Sequence, residues 1–164
     1  MIVVLMGVCG SGKTTVGQAL AARLRWRFLD ADDFHPQANV DKMARGMALT
    51  DDDRWPWFDR IVEELKRQHP SRTNIVLACS ALRQAYRDRL AQAGDVRFAY
   101  LRGDAATIAP RLAGRSGHFM PASLLTSQFA TLEEPAAAIV IDVAEPVATQ
   151  VAKLTRALQQ PLPA

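Results

Sequence analysis

Ile2-Val-Val-Leu-Met6, then Gly7-Val8-Cys9-Gly10-Ser11-Gly12-Lys13-Thr14-Thr15, then Val16, Ala19, Leu20 and Leu24 at helical spacing: this opening stretch decides the architecture. An unbroken apolar run suits a strand buried on both faces of a parallel sheet, and the 3.6-residue period after it suits a helix packed on that strand. Between them stands the G-x-x-x-x-G-K-[ST] spacing of a phosphate-binding loop. Glycines at these positions permit positive φ, so successive backbone N–H groups can converge on one phosphate. Lys13 brings an ammonium to the β and γ phosphates, Thr14 offers a hydroxyl to Mg2+, and the start of the helix adds partial positive charge. The nucleotide-binding set in this stretch is Gly7, Gly10, Ser11, Gly12, Lys13, Thr14 and Thr15. A glycine-rich turn with a chance lysine is the alternative, and the flanking strand and helix speak against it.

The chain has 164 residues with 49% hydrophobic content, which suits one core and a single domain over residues 1–164 with small insertions. Its net charge is +3, with arginines scattered from Arg23 to Arg156. No basic stripe for nucleic acid is expected, while a positive pocket for an anionic substrate is compatible with this balance. Cys9 and Cys79 lack C-x-x-C spacing, and His35, His69 and His118 are dispersed, so a zinc site and a disulfide framework are not expected. That cysteine usage suits a reducing compartment. The first apolar run is too short to cross a membrane and has no basic segment before it, so a cytoplasmic location is expected.

Outward from the opening stretch, Trp26-Arg-Phe-Leu-Asp30 reads as a second strand ending in acid, followed by Ala31, Asp32, Asp33, Phe34, His35 and Pro36. Ligands of such sheets sit beyond the carboxyl ends of the strands, so these acids face the phosphate loop's crevice. One carboxylate can then serve the Mg2+ shell and the other a substrate hydroxyl; a helix cap or solvated turn is the competing reading. Pro36 opens a helix through Met43 with Gly46 as its stop. Thr50-Asp51-Asp52-Asp53 has the form of a capping box for a helix to Gln68. Arg54 lies at its start, either reaching a bound anion or facing solvent. Ile75 to Cys79 is a further strand, and Ser80-Ala81 is read as opening the next helix. Ser80 is either that helix's N-cap or, at a strand's carboxyl end, a substrate contact. Val96 to Leu101 and Ala138 to Asp142 are the remaining strands. Gly114-Arg115-Ser116-Gly117-His118-Phe119-Met120-Pro121 reads either as a flap that brings positive charge onto a phosphate or as a plain helix connection.

Taken together these segments resemble the gluconokinase family. The resemblance runs through Gly7 to Gly17, Phe28-Leu-Asp-Ala-Asp-Asp-Phe-His-Pro36, Asn39-Val-Asp-Lys-Met43, Leu49-Thr-Asp-Asp-Asp-Arg-Trp-Pro-Trp57, Cys79-Ser-Ala-Leu82, Tyr86-Arg-Asp88, Gly117-His-Phe-Met120 and Ser127-Gln-Phe-Ala-Thr-Leu-Glu-Glu-Pro135. The first motif is shared by many NTPases; the others are the discriminating ones. The resemblance implies an α/β, nucleoside-monophosphate-kinase-like P-loop fold, a five-stranded parallel sheet flanked by helices. It also implies a substrate-binding insertion over residues 31–68 and a lid over 114–122. It implies ATP and Mg2+ as cofactors, D-gluconate as the substrate phosphorylated at its 6-hydroxyl, and a homodimer. By motif, Lys13, Asp32 and Arg115 are catalytic, with Asp32 orienting or deprotonating the hydroxyl. Thr14 and Asp30 support the metal, and Asp32, His35, Arg54, Ser80, Ala81 and His118 surround gluconate. Arg111 and Pro146 serve the nucleotide's adenine side.

Three positions depart from the family pattern: Cys9 where serine is usual, Ala31 where glycine is usual, and Ala144 where an acid is common. Ala31 would strain the Asp30 to Asp32 turn if that turn required positive φ. A kinase for shikimate, another sugar acid or a nucleoside monophosphate is the nearest alternative. A nucleotide-sensing switch is the alternative outside enzymes, and it leaves the acids after Phe28 without a purpose.

Overall fold

The computed structural model describes residues 1–68, 73–113 and 122–160. Its strands are β1 (Ile2–Met6), β2 (Arg27–Asp30), β3 (Ile75–Ala78), β4 (Val96–Arg102) and β5 (Ile139–Asp142). The helices are α1 (Lys13–Leu24), α2 (Gln37–Ala44), α3 (Asp51–Gln68), α4 (Gln84–Ala91), α5 (Ala105–Ala113), α6 (Ala122–Thr131) and α7 (Val147–Gln159). A 3-10 turn, Ala31–Phe34, follows β2.

The wholly apolar β1 is buried along its length because it is the central strand, in the order β2-β3-β1-β4-β5. Every pairing is parallel, with Val4 opposite Leu77 on one side and Phe98 on the other. Parallel neighbours require crossovers, and helices supply them on both faces. Alternation along β1 separates two cores. Ile2, Val4 and Met6 pack with Trp57, Phe58, Ile61 and Leu65 of α3 and Leu90 of α4, whereas Val3 and Leu5 pack with Val16 and Leu20 of α1 and Leu154 of α7. The expected five-stranded α/β sandwich is therefore the observed one.

The topology also fixes the crevice. From β1 the chain builds β2 and β3 on one side and later β4 and β5 on the other, so the carboxyl end of β1 lies where the order reverses. α1 lies close on β2 because Gly17 has no side chain: a Cβ there would stand 2.6 Å from the Phe28 ring.

Local signals held in most places. Thr50 and Asp53 form a reciprocal capping box: the Asp53 N–H donates to Thr50 Oγ1 at 3.3 Å and the Thr50 N–H donates to Asp53 Oδ2 at 2.8 Å. After α2, Gly46 takes φ 72 and the Met47 N–H closes on Lys42 O at 3.0 Å, a Schellman stop.

One boundary is corrected. α4 begins at Gln84, with Arg83 rather than Ser80 as its N-cap. The cause is Ala81, whose φ of 43 no right-handed helix accommodates. The cap comes from elsewhere: the Glu133 carboxylate accepts the Gln84 N–H at 2.5 Å. The concern over Ala31 also dissolves. Arg25 and Ala81 are the positive-φ non-glycine residues among the described residues, and Ala31 is buried in its turn without such strain.

Candidate active site

The phosphate loop joins β1 to α1 with Gly7, Gly10 and Gly12 at φ 144, 79 and 93. At Gly7 the backbone approaches β4 so closely that a Cβ would lie 2.8 Å from Leu101 O. The N–H groups of Gly10, Gly12, Lys13, Thr14 and Thr15 find no acceptor among the described residues. Ser11 Oγ is buried and has no partner either. Orphaned donors converging at a helix start form a nest for an anion, so the loop fits a polyphosphate. Lys13 Nζ folds back over the loop, donating to Gly7 O at 3.0 Å and Val8 O at 2.9 Å. Burial pushes the Lys13 ammonium below its ordinary pKa, while Cys9, Asp32, Cys79 and Asp30 push the other way.

β2 delivers its terminal carboxylate to that loop. Thr14 Oγ1 donates to Asp30 Oδ2 at 2.9 Å, and Asp30 Oδ1 accepts the Asp32 N–H at 3.1 Å, capping the 3-10 turn. Two hard oxygen donors side by side suit Mg2+, which prefers oxygen ligands and the company of phosphates. The same capped turn turns the Asp32 side chain outward, where it is 85% exposed beside His35. Trp57 locks the turn from α3, its indole N–H donating to Ala31 O at 2.7 Å.

His35 stacks on Trp57, with ring centroids 4.2 Å apart. The Asn39 side-chain amide nitrogen donates to Asp53 O at 2.8 Å and faces His35 Nδ1 at 3.4 Å. An amide nitrogen only donates, so Nδ1 is an acceptor and the ring proton sits on Nε2, which faces Asp32 Oδ1 at 3.8 Å. Burial, with the Arg54 guanidinium adding to it, pushes the His35 imidazole from 6.5 down to about 4. The unfolded chain therefore binds more protons here between those values. Stability from neutral His35 is complete above 6.5 and is lost as pH falls toward about 4. Urea midpoints at about pH 7 and about pH 4.5 should fall further for the wild type than for His35→Asn. Asp53, held down at about 2 by Lys42 and Thr50, contributes equally to both proteins. Equal falls would contradict this account of His35.

The acidic run at the start of α3 divides its tasks. Asp53 caps the helix, but Asp51 turns to the α4 side, accepting from Arg83 Nη1 at 2.7 Å, Arg54 Nη1 at 3.3 Å and the Tyr86 hydroxyl. The Tyr86 hydrogen bond, then Arg83 and Arg54, hold the Asp51 carboxyl below its ordinary pKa. Arg54 also lies over the Tyr86 ring, 5.9 Å from its centroid. Two guanidiniums and a phenol thus gather around one carboxylate, a setting suited to an acid substrate. Arg83, Asp51 and Tyr86 were missed in the sequence because no local spacing joins α3 to α4.

Ser80 and Ala81 lie beside the loop, since Ser80 O accepts the Gly7 N–H at 3.2 Å. Their backbone is held by Arg87, a buried cation that donates to Ala81 O at 2.9 Å and Leu82 O at 3.2 Å and to the Gln84 side chain. On the far side, Arg111 of α5 donates to Val143 O at 2.7 Å, and Pro146 caps α7 three residues on. Arg115 and His118 lie outside the described residues.

A phosphate nest with its lysine, a carboxylate and hydroxyl pair beside it, and a second carboxylate on the adjoining turn define a P-loop small-molecule kinase. A family model described as shikimate kinase matches residues 9–158. The gluconokinase of Gluconobacter oxydans is 49% identical, over 80% of this chain and 75% of its own. The thermosensitive gluconokinase of Escherichia coli K12 is 45% identical, over 82% and 72%. A gluconokinase structure from Sinorhizobium meliloti superposes with a TM-score of 0.83 at 43% identity, covering 94% of this chain and 91% of that one. The chain belongs to the gluconokinase family, within the group that the shikimate kinase description covers. It is a phosphotransferase.

Proposed function

We propose that this enzyme transfers the γ-phosphoryl group of ATP to the 6-hydroxyl of D-gluconate, releasing 6-phospho-D-gluconate and ADP. The observation that carries the reading is the succession of interacting groups from Lys13 through Asp32 and His35 to Arg54. The Asp32 charge bears on Lys13, His35 stands 3.8 Å from Asp32, and the Arg54 charge bears on His35. A donor site, a carboxylate for an acceptor hydroxyl, and guanidiniums for an acceptor's acid group follow one another in that order.

In this mechanism the loop amides and Lys13 hold the polyphosphate and offset charge on the transferring group. Thr14 and Asp30 would hold Mg2+, whose charge would offset part of the negative charge of the phosphates. Asp32 aligns the acceptor hydroxyl and takes its proton as the new P–O bond forms and the bond to the ADP oxygen breaks. Neutral His35 and the Ser80-Ala81 backbone line the polyol, and Arg54 receives the carboxylate. Arg111 and Pro146 belong to the adenine side, and Arg115 and His118 to a lid over residues 114–122 that excludes water. Residues 31–68 form the acceptor side of a single domain. A homodimer in the cytoplasm belongs to the same reading. No described helix is long and apolar enough to cross a membrane.

The product identifies the reaction. Incubation with Mg-ATP and D-gluconate, followed by 6-phosphogluconate dehydrogenase and NADP, should yield NADPH in step with ADP. ADP formation without NADPH would place the phosphoryl group elsewhere.

A further inference from the structure

Gln128 of α6 reaches the phosphate loop from outside it, its Oε1 accepting the Cys9 N–H at 2.6 Å. A backbone N–H only donates, so this bond fixes which end of the side-chain amide faces Cys9. The other end, Nε2, carries two N–H donors and has no acceptor among the described residues. A neutral donor pair is therefore held beside the third residue of the loop, anchored to the backbone that cradles the phosphates.

We propose that Gln128 is a further catalytic residue of the phosphoryl transfer, its Nε2 donating to a non-bridging oxygen of the transferring group. The inference rests on the kinase reaction proposed above. Charge on the transferring group is spread over its equatorial oxygens, and a fixed donor aimed there acts without reorganising as the reaction proceeds. Lys13 already supplies the ammonium at this end of the site, and an amide adds donors without bringing a second buried cation beside it. The Cys9 bond sets the register: only while Oε1 stays on the loop does Nε2 keep a fixed place relative to the bound phosphates.

Gln128→Ala should lower kcat by about tenfold to a hundredfold at saturating ATP and gluconate. Its ATP affinity, titrated without acceptor, should change less than about threefold, as for an interaction made chiefly in the transition state. Gln128→Glu keeps an oxygen for Cys9 but replaces the donor with negative charge, and should lose more kcat than Gln128→Ala with an unaltered melting temperature. If both variants keep kcat within about twofold of wild type, the proposal is wrong. Tighter ATP binding with intact kcat in Gln128→Ala would also overturn it, making the side chain a stopper of the empty loop. A wild type inactive on gluconate would overturn the reaction itself, an outcome distinct from either.

Discussion

Lys13→Ala is expected to lower kcat/KM by on the order of a thousandfold and to weaken ATP binding as well. The ammonium is already at the loop, donating to Gly7 O and Val8 O, so it needs only to exchange these carbonyls for phosphate oxygens. Losing it removes the one loop side chain that carries a full positive charge. Arginine should not restore activity, because its planar fork does not fit a place shaped for a compact ammonium. Steady-state kinetics with a parallel nucleotide titration decide the matter. Near-normal values for Lys13→Ala would contradict the assignment of the loop.

Asp32→Asn should separate binding from chemistry. The Asp32 side chain is 85% exposed, and its contact with Asp30 is made through the backbone N–H, so the substitution leaves the 3-10 turn in place. ATP binding should be retained while kcat falls by about a hundredfold to ten-thousandfold, the usual share of a general base. A fall in ATP affinity with unchanged kcat would remove Asp32 from the transfer step. The paired variants thus divide the site: Lys13 affects donor binding and transfer together, and Asp32 affects transfer alone.

The parts legible in the sequence are those in which function is local. The phosphate loop is contiguous, and its neighbours declare themselves by an apolar run and a helical period. Asp30 was legible by its place at the end of the second strand, and its bond to Thr14 is what the sheet then supplies. Thr50 and Asp53 were legible because a capping box spans three residues. The illegible parts are contacts that tertiary structure alone creates. Arg83 and Tyr86 of the α4 side meet Asp51 of α3 across more than thirty positions, so Asp51 reads as one more capping acid until the fold is known. Gln128 lies 119 positions from Cys9, and the motif that contains it gives no sign in sequence that its side chain meets the phosphate loop.

Ser80 shows a different limit. A serine after a buried strand carries the ordinary signal of an N-cap, and nothing nearby warns that Ala81 takes a left-handed conformation. That conformation is sustained by Arg87, one turn into the following helix, which takes the carbonyls the turn leaves open. Burying a guanidinium without a carboxylate partner is costly, and here its donors are met by backbone and amide oxygens instead. The sequence displays the arginine, but only the fold shows that it faces inward.

Whether this enzyme phosphorylates D-gluconate is decided by following ADP release from Mg-ATP with D-gluconate, shikimate, other aldonates or no acceptor. Strong stimulation by D-gluconate and little by the others is expected. Equal release under all conditions would contradict it and leave a nucleotide-driven switch as the better description of the site.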